Sequence, residues 1–502
     1  MKKLFNFCLA TFAFVTIFSC DDDENTSMPE TPTVGPDVMV YGLSANNELL
    51  AFNAKNSNVF TSTKPITGLG SGEKLLSIDF RPATGELYAV SSASKFYIIN
   101  TSTAATRVVS TTAFSPVISG TIASIDFNPT VDRIRLVTNT GQNLRLNPET
   151  GAIAATDTSI ATTASISGIA YTNSKSGATA TTLYDLDLTS GKLFKQDPPN
   201  NGTLVEVGSL GLTFTGQAAF DINSENTVAL MAATSGGQNA LYTVDLNTGK
   251  ALSIGTLSQK VIDLAIPTNP VAYAIDNANA LQIFDPNNPA TPVTKPITGL
   301  QASEGILGID FRPLNGQLYA LGNSSRIYTI NLGTGAATQV GTGTLSTPLA
   351  GTEFGFDFNP TVDKIRVVSN TGQNLRLDPV TGGVTAVDMP LNPTPVSVGA
   401  AAYTDNFAGA TTTSLFVIDT NTDKLYLQNP PNNGTLVERG SLGMNIDGAN
   451  GFDIGSTSQK AYLVASVGGT TRIYTVNTTN GSAASLATYP NPVKGFTVGL
   501  GF

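Results

Sequence analysis

"LLSIDFRPATGELYAVSSASKFYIINTSTAATRVVST" occupies residues 75–111. Four short runs, "LLSIDF", "ELYAV", "KFYII" and "TRVV", alternate apolar with small or polar residues. They are rich in β-branched and aromatic side chains, which suits a pleated, half-buried surface. Between them stand turn formers such as "RPATG" and "NTST". The stretch predicts four antiparallel strands in one small sheet. The pattern recurs roughly every 46 residues, each time led by an apolar strand carrying an aspartate: Asp79, Asp126, Asp221, Asp310, Asp357 and Asp453. "GIAYTN" and "AAAYTD" fill the fourth slot of each series without the aspartate. Four strands at this period predict an all-β chain, a β-propeller built of four-stranded blades. An array of β-sandwiches would need modules of about 100 residues, which the period does not support.

A larger repeat encloses the small one, with an offset of 231 residues. "KPITGL" stands at Lys64 and Lys295, and "IDFRP" at Ile78 and Ile309. Residues 38–267 and 268–502 therefore read as two copies of five blades each, ten in all. Copy 1 opens with "VMVYGL", a second strand lacking its first, and closes with "VIDLAI", a first strand lacking a blade. Copy 2 closes with "GFTVGLGF" in the same way. Two five-bladed rings follow if Val261–Ile266 completes the blade begun at Val38 and Phe496–Phe502 the blade begun at Val271. The alternative is one ten-bladed ring, with Val261–Ile266 pairing with Val271–Ile275 through "PTNP". Propellers of about 4–8 blades are usual, which favours two rings.

The leader "MKKLFNFCLATFAFVTIFSC" has two lysines before an apolar run, the form of a secretory signal. It ends in a small residue and Cys20, resembling a bacterial lipobox. Residues 1–19 are expected to be a lipoprotein signal peptide and Cys20 the lipidated residue, anchoring the chain to a membrane. Residues 20–37 begin with an acidic cluster and continue Pro/Thr-rich, a composition that cannot pack and predicts a tether. Acidic residues directly after the lipid cysteine resemble a surface-export signal, so an outer-membrane lipoprotein facing outward is expected.

The net charge of −10 and the absence of a basic run argue against nucleic-acid partners. With no histidine, Ser-His-Asp and Cys-His catalysis and the usual zinc sites are excluded. The two cysteines both lie within the first 20 residues, so the body holds no disulfide. "DTNTDK" at Asp419 looks like half of a calcium loop, but its copy-1 counterpart "DLTSGK" lacks the oxygens and a turn is the better reading. No cofactor and no metal is expected.

"GIDFRPLNGQLYALGNSSRIYTINLGTGAATQVG", "FGFDFNPTVDKIRVVSNTGQNLRLDPVTGG" and "AAYTDNFAGATTTSLFVIDTNTDKLYLQNPPNNGTLVERGSL" resemble the bacterial DUF4394 domain, once per copy from Val38 onward. The resemblance implies secreted or surface proteins with a propeller-like β-fold and no established activity or catalytic residues.

One segment repeats in its polar residues too. "FNPTVDRIRLVTNTGQNLRLNPETG" (127–151) and "FNPTVDKIRVVSNTGQNLRLDPVTG" (358–382) differ at five positions. Asp132, Arg135, Asn139, Gln142, Asn143 and Arg145 all recur. Reading "RIRLVTN" and "NLRLNP" as strands joined at "NTG" sets Arg135 opposite Arg145, an unfavourable pair unless an acid neutralises it. Asp126, or Asp79 of the preceding blade, is the expected neutraliser. Two readings stand: a buried Asp–Arg framework of Asp126, Arg135 and Arg145, repeated as Asp357, Arg366 and Arg376, or a face on which these arginines grip an anionic or sugar ligand. "PPNNGTL" at Pro198 and Pro430 reads as a type I′ hairpin turn at Asn-Gly, with a ligand loop using Gln196 or Gln428 as the lesser reading. A surface binding or adhesion module for a glycan or protein is the expected function. The alternative is a carboxylate-based hydrolase acting on extracellular glycans, which would need two close carboxyl groups in an open pocket.

Overall fold

The structure is a computed structural model that describes residues 34–502 apart from 162 and 449. The leader, Cys20 and most of the tether lie outside the described residues. The strands of the described residues form ten four-stranded antiparallel sheets. The opening stretch forms one of them, from Leu75–Phe80, Leu87–Ser91, Phe96–Ile99 and Thr106–Val108. Its first three strands are almost wholly buried while Thr106–Val108 is half-buried, so apolarity falls from the inner strand to the outer.

The first sheet of each copy is completed from the copy's own end. Val261–Ala265 pairs with the first strand, Met39–Ser44, in the register Gly42↔Leu264. Val493–Val498 pairs with Ala272–Asp276, with Ala272 opposite Val498. The exchange that a single ring requires, Val261–Ile266 with Val271–Ile275, is not the pairing adopted.

The inner strands pack side by side in two closed series. In copy 1 the order is Leu75–Phe80, Ala123–Asn128, Ile166–Tyr171, Ala219–Ile222 and Val261–Ala265, and the last returns to the first. In copy 2 it is Ile306–Arg312, Phe354–Asn359, Val398–Tyr403, Asn450–Ile454 and Val493–Val498, again returning to the start. Apolar clusters fill the gaps between neighbouring sheets. One joins Tyr88, Val90 and Phe96 to Ile125, Phe127 and Leu136. Each sheet is thus covered on both faces, and burying the apolar area supplies the main driving force.

The copies meet through equivalent loops. Arg81 of copy 1 is fully buried, holds Asp132 through two bonds and donates Nη1 to the Gly316 carbonyl of copy 2 at 3.1 Å. Its counterpart Arg312 holds Asp363 in the same way. Tyr273 of copy 2 donates to the Ala83 carbonyl at 2.8 Å.

The "PPNNG" segments depart from the expected type I′ turn. Pro199–Asn201 and Pro431–Asn433 are single turns of 3-10 helix, and only Gly202 and Gly434 enter the left-handed region, at φ 61° and 66°. A type I′ turn needs two positive φ values in succession. Here the paired prolines extend the connection, leaving room for a short helical turn.

Candidate functional site

The register sets Arg135 directly opposite Arg145, as the hairpin reading requires. The neutralising acid is Asp157, just beyond the outer strand Ile153–Thr156. Its Oδ2 accepts from Arg135 Nη1 at 2.6 Å and from Arg145 Nε at 2.8 Å, and its Oδ1 accepts from Arg145 Nη2 at 2.8 Å. Burial alone would raise the Asp157 carboxyl; the bonds from the two arginines outweigh it and hold the group below its ordinary value. Asp388 joins Arg366 and Arg376 identically.

Asp126 and Asp357, expected beside these arginines, bond elsewhere. Asp126 is the cross-strand neighbour of Arg135. It sits on the innermost strand, however, and accepts the Tyr171 N–H of the next inner strand at 3.2 Å, while the guanidinium extends outward. Asp79 likewise bonds the Phe127 N–H at 2.8 Å rather than an arginine.

Arg135, 2 % exposed, is the centre of a link between sheets. Beyond Asp157 it donates to Asn143 Oδ1 at 2.7 Å and to Asn200 Oδ1 of the neighbouring sheet at 2.7 Å. Asn143 Nδ2 donates to the Pro199 carbonyl of the same loop. Arg366, Asn374 and Asn432 repeat the arrangement. The other repeated polar residues are bonded internally as well: Asp132 to Arg81, Asn139 to the Thr121 and Ile122 N–H groups, Gln142 to Ser119 and Val117. Asn200 and Asn432 escaped the sequence reading because attention in "PPNNG" fell on the Asn-Gly turn one residue later and on Gln196 and Gln428 as a ligand loop.

Behind Arg135 lies an acid without counterpart in copy 2. Asp185 is 0 % exposed, and neither carboxylate oxygen has a hydrogen-bond partner. Burial pushes it up to about 8, against the attraction of Arg135. Copy 2 carries Val417 at this strand position. Asp185→Val is therefore expected to raise stability by about 1–3 kcal/mol, since an unsatisfied buried polar group is removed and apolar volume retained. Thermal denaturation checks this; a lower melting temperature would show that the carboxyl is needed.

The repeated strand aspartates converge at the middle of each series of inner strands. One oxygen from each of Asp79, Asp126 and Asp221 lies within 4.8 Å of the others, and Asp310, Asp357 and Asp453 do the same. These are the groups that could hold a metal ion. All are buried, and each latches one inner strand to the next through a backbone N–H: Phe127, Tyr171 and Ile266 in copy 1, Phe358, Tyr403 and Val498 in copy 2. Asp263 closes the copy-1 series by accepting the Ile78 N–H. Copy 2 has Gly495 at that position, and Thr497, the counterpart of Ala265, donates to Asp453 instead. Ala170 and Ala402, on the third inner strand of each series, stand where the first, second and fourth carry an aspartate.

The repeat, the closing strands and this doubled polar framework define two equivalent units, and the DUF4394 profile, a domain of unknown function, matches residues 48–265 and 280–497. The chain belongs to the DUF4394 family. No curated protein matches it. Among solved structures, similarity is found to the extracellular domain of a B. thetaiotaomicron protein described as a one component system. Identity is 11 %, covering 89 % of this chain and 59 % of that one, with a TM-score of 0.25. A second structure, titled as the extracellular domain of a hybrid two component system from the same organism, gives 12 % identity, 93 % and 61 % coverage and a TM-score of 0.24. The DUF4394 chain thus spans about three fifths of those domains.

Two cavities open between the copies. One, of about 490 Å³, is walled by residues 173–180 of copy 1 and by Ile283–Val293 of copy 2. The other, of about 340 Å³, is walled by residues 80–107 of copy 1 and by Phe407–Gly409 and the C-terminal turn of copy 2. The same loop of each copy, 173–180 and 405–410, thus borders one cavity.

Proposed function

We propose that this DUF4394 chain is a pair of five-bladed β-propellers displayed outside a bacterial cell, tethered through lipid at Cys20, which recognises an extracellular ligand and carries out no chemistry on it. Residues 38–267 and 268–502 would be the two rings. The observation that carries the reading is the pair of cavities made jointly by loops of both copies on a scaffold whose conspicuous charged residues are already bonded to one another. Loops on a rigid frame are where recognition is usually placed, and cavities of about 300–1,000 Å³ suit small ligands. A glycan hydrolase would need a close pair of carboxyls open to substrate. The aspartates that come within 4.8 Å are buried and bonded to backbone.

Two experiments test this. Cys20→Ser is expected to move the protein from the membrane fraction to the soluble fraction; unchanged partitioning would remove the lipid tether. The purified chain is expected to bind members of a printed array of oligosaccharides and peptides. An array without hits would overturn the binding reading.

A further inference from the structure

The two cavities differ in kind, although the same loop borders each. In the larger one the loop presents Lys175, which is half-exposed and lies 3.7 Å from Glu225. In the smaller one the equivalent position holds Phe407, 40 % exposed and the only exposed phenylalanine among the described residues. The other described phenylalanines are buried or partly buried, whereas this ring meets solvent at a cavity rim. The floor beneath it includes the buried Leu87 and Leu500. The cavity's only charged lining residues are Glu86 and Arg107, and they neutralise each other through Glu86 Oε1 and Arg107 Nη2 at 2.6 Å. The pair is pinned in place: Arg107 Nη1 donates to the Leu314 carbonyl of copy 2, and Glu86 Oε2 accepts from Thr84.

Together these features specify a chemistry. A net-neutral lining offers nothing extra to a phosphate or a free carboxylate, and the chain's charge of −10 repels both. A fixed carboxylate beside a fixed guanidinium offers acceptor and donor side by side. A hydroxyl group can use both at once, because it donates one hydrogen bond and accepts others. The exposed ring supplies an apolar platform for a C–H face. We infer that the cavity between Glu86, Arg107 and Phe407 takes a neutral sugar, the end or a short segment of an uncharged glycan. This rests on the binding-module reading above and names its ligand class and place.

The test uses the whole chain on an array of neutral hexose oligosaccharides together with uronate-containing counterparts, comparing wild type, Phe407→Ala, Phe407→Trp and Lys175→Ala. Binding to neutral oligosaccharides is expected to fall at least tenfold in Phe407→Ala, to persist in Phe407→Trp, and to be unchanged in Lys175→Ala. Circular dichroism on each variant shows that the fold is retained. Hits insensitive to Phe407→Ala, hits lost only in Lys175→Ala, or preference for the uronate-containing members would overturn the neutral-sugar assignment while leaving a binding module standing. Absence of any hit for wild type would overturn both.

Discussion

Arg135→Met is expected to lower the melting temperature by roughly 6 °C or more, and Arg366→Met to do the same in the second copy. Breaking a buried ion pair by removing one partner costs about 3–5 kcal/mol, chiefly because the remaining groups stay buried without their partner. Here the loss is wider than one pair. The methionine would leave Asn143 Oδ1 and Asn200 Oδ1 without their donor and cut the link between two sheets. Asp157 would keep Arg145. Arg145→Met should cost much less, about 1 kcal/mol or below, because the Arg145 side chain is 34 % exposed and solvent screens its pair. The measurement is thermal denaturation of the three variants at one pH. If Arg145→Met proves as harmful as Arg135→Met, the stabilisation lies in the hairpin alone and the link through Asn200 contributes nothing.

The ranking of these two arginines shows where sequence reasoning reaches and where it stops. Period-two alternation and turn residues are local, so strands such as Leu75–Phe80 could be read directly, and the Arg135–Arg145 register followed from the length of the "NTG" turn. The closing strands were legible because "VIDLAI" and "GFTVGLGF" have no following strands with which to build a sheet of their own. Partnership is not local. Asp126 lies opposite Arg135 in the register, yet its carboxyl points to the adjacent inner strand, and only the three-dimensional course of the outer strand brings Asp157 to both arginines. Arg81 is another case: "IDFRP" repeats visibly, but the repeat cannot disclose that Arg81 bonds across to the other copy while Arg312, also buried, bonds Asp363 and Tyr319 of its own copy. The two cavities were invisible for the same reason, since each is walled by loops of both copies.

The second large effect is a fall in stability as pH rises between about 4 and 8, opposite to ordinary acid denaturation. Burial and the neighbouring Asp221 push Asp79 up; burial and the nearby carboxylates do the same for Asp126. Burial lifts Asp221 and Asp263 to about 7 and Asp453 to about 6. The charges acting on Asp79 and Asp126 are those of the neighbouring carboxyls, Asp221 and Asp263 among them, and these push both groups the same way. Hydrogen bonding in copy 2 makes the same point: the Thr497 hydroxyl lies 3.0 Å from Asp310 and 2.9 Å from Asp453, and its single proton can serve only one. One of the two carboxyls must then carry its own proton. These groups hold protons in the folded chain at pH values where an unfolded aspartate, at about 3.9, has lost them. More protons bound in the folded state means stability that declines with rising pH, at up to about 1.4 kcal/mol per unit for each group, and levels off above the folded values. Because neighbouring carboxyls titrate together, the decline is shared among them. Below about pH 4 the sign reverses, as Asp157 and Asp388, held low by their arginines, begin to protonate and release them. The melting temperature should therefore peak near pH 4–5 and stand several degrees lower at pH 8. Asp221→Asn combined with Asp453→Asn, which removes charge while keeping a carbonyl for the Ile266 and Val498 N–H groups, should flatten that slope. A melting temperature that rises from pH 5 to 8, or a slope untouched by the double substitution, would show that these buried carboxyls are ionised and compensated in another way.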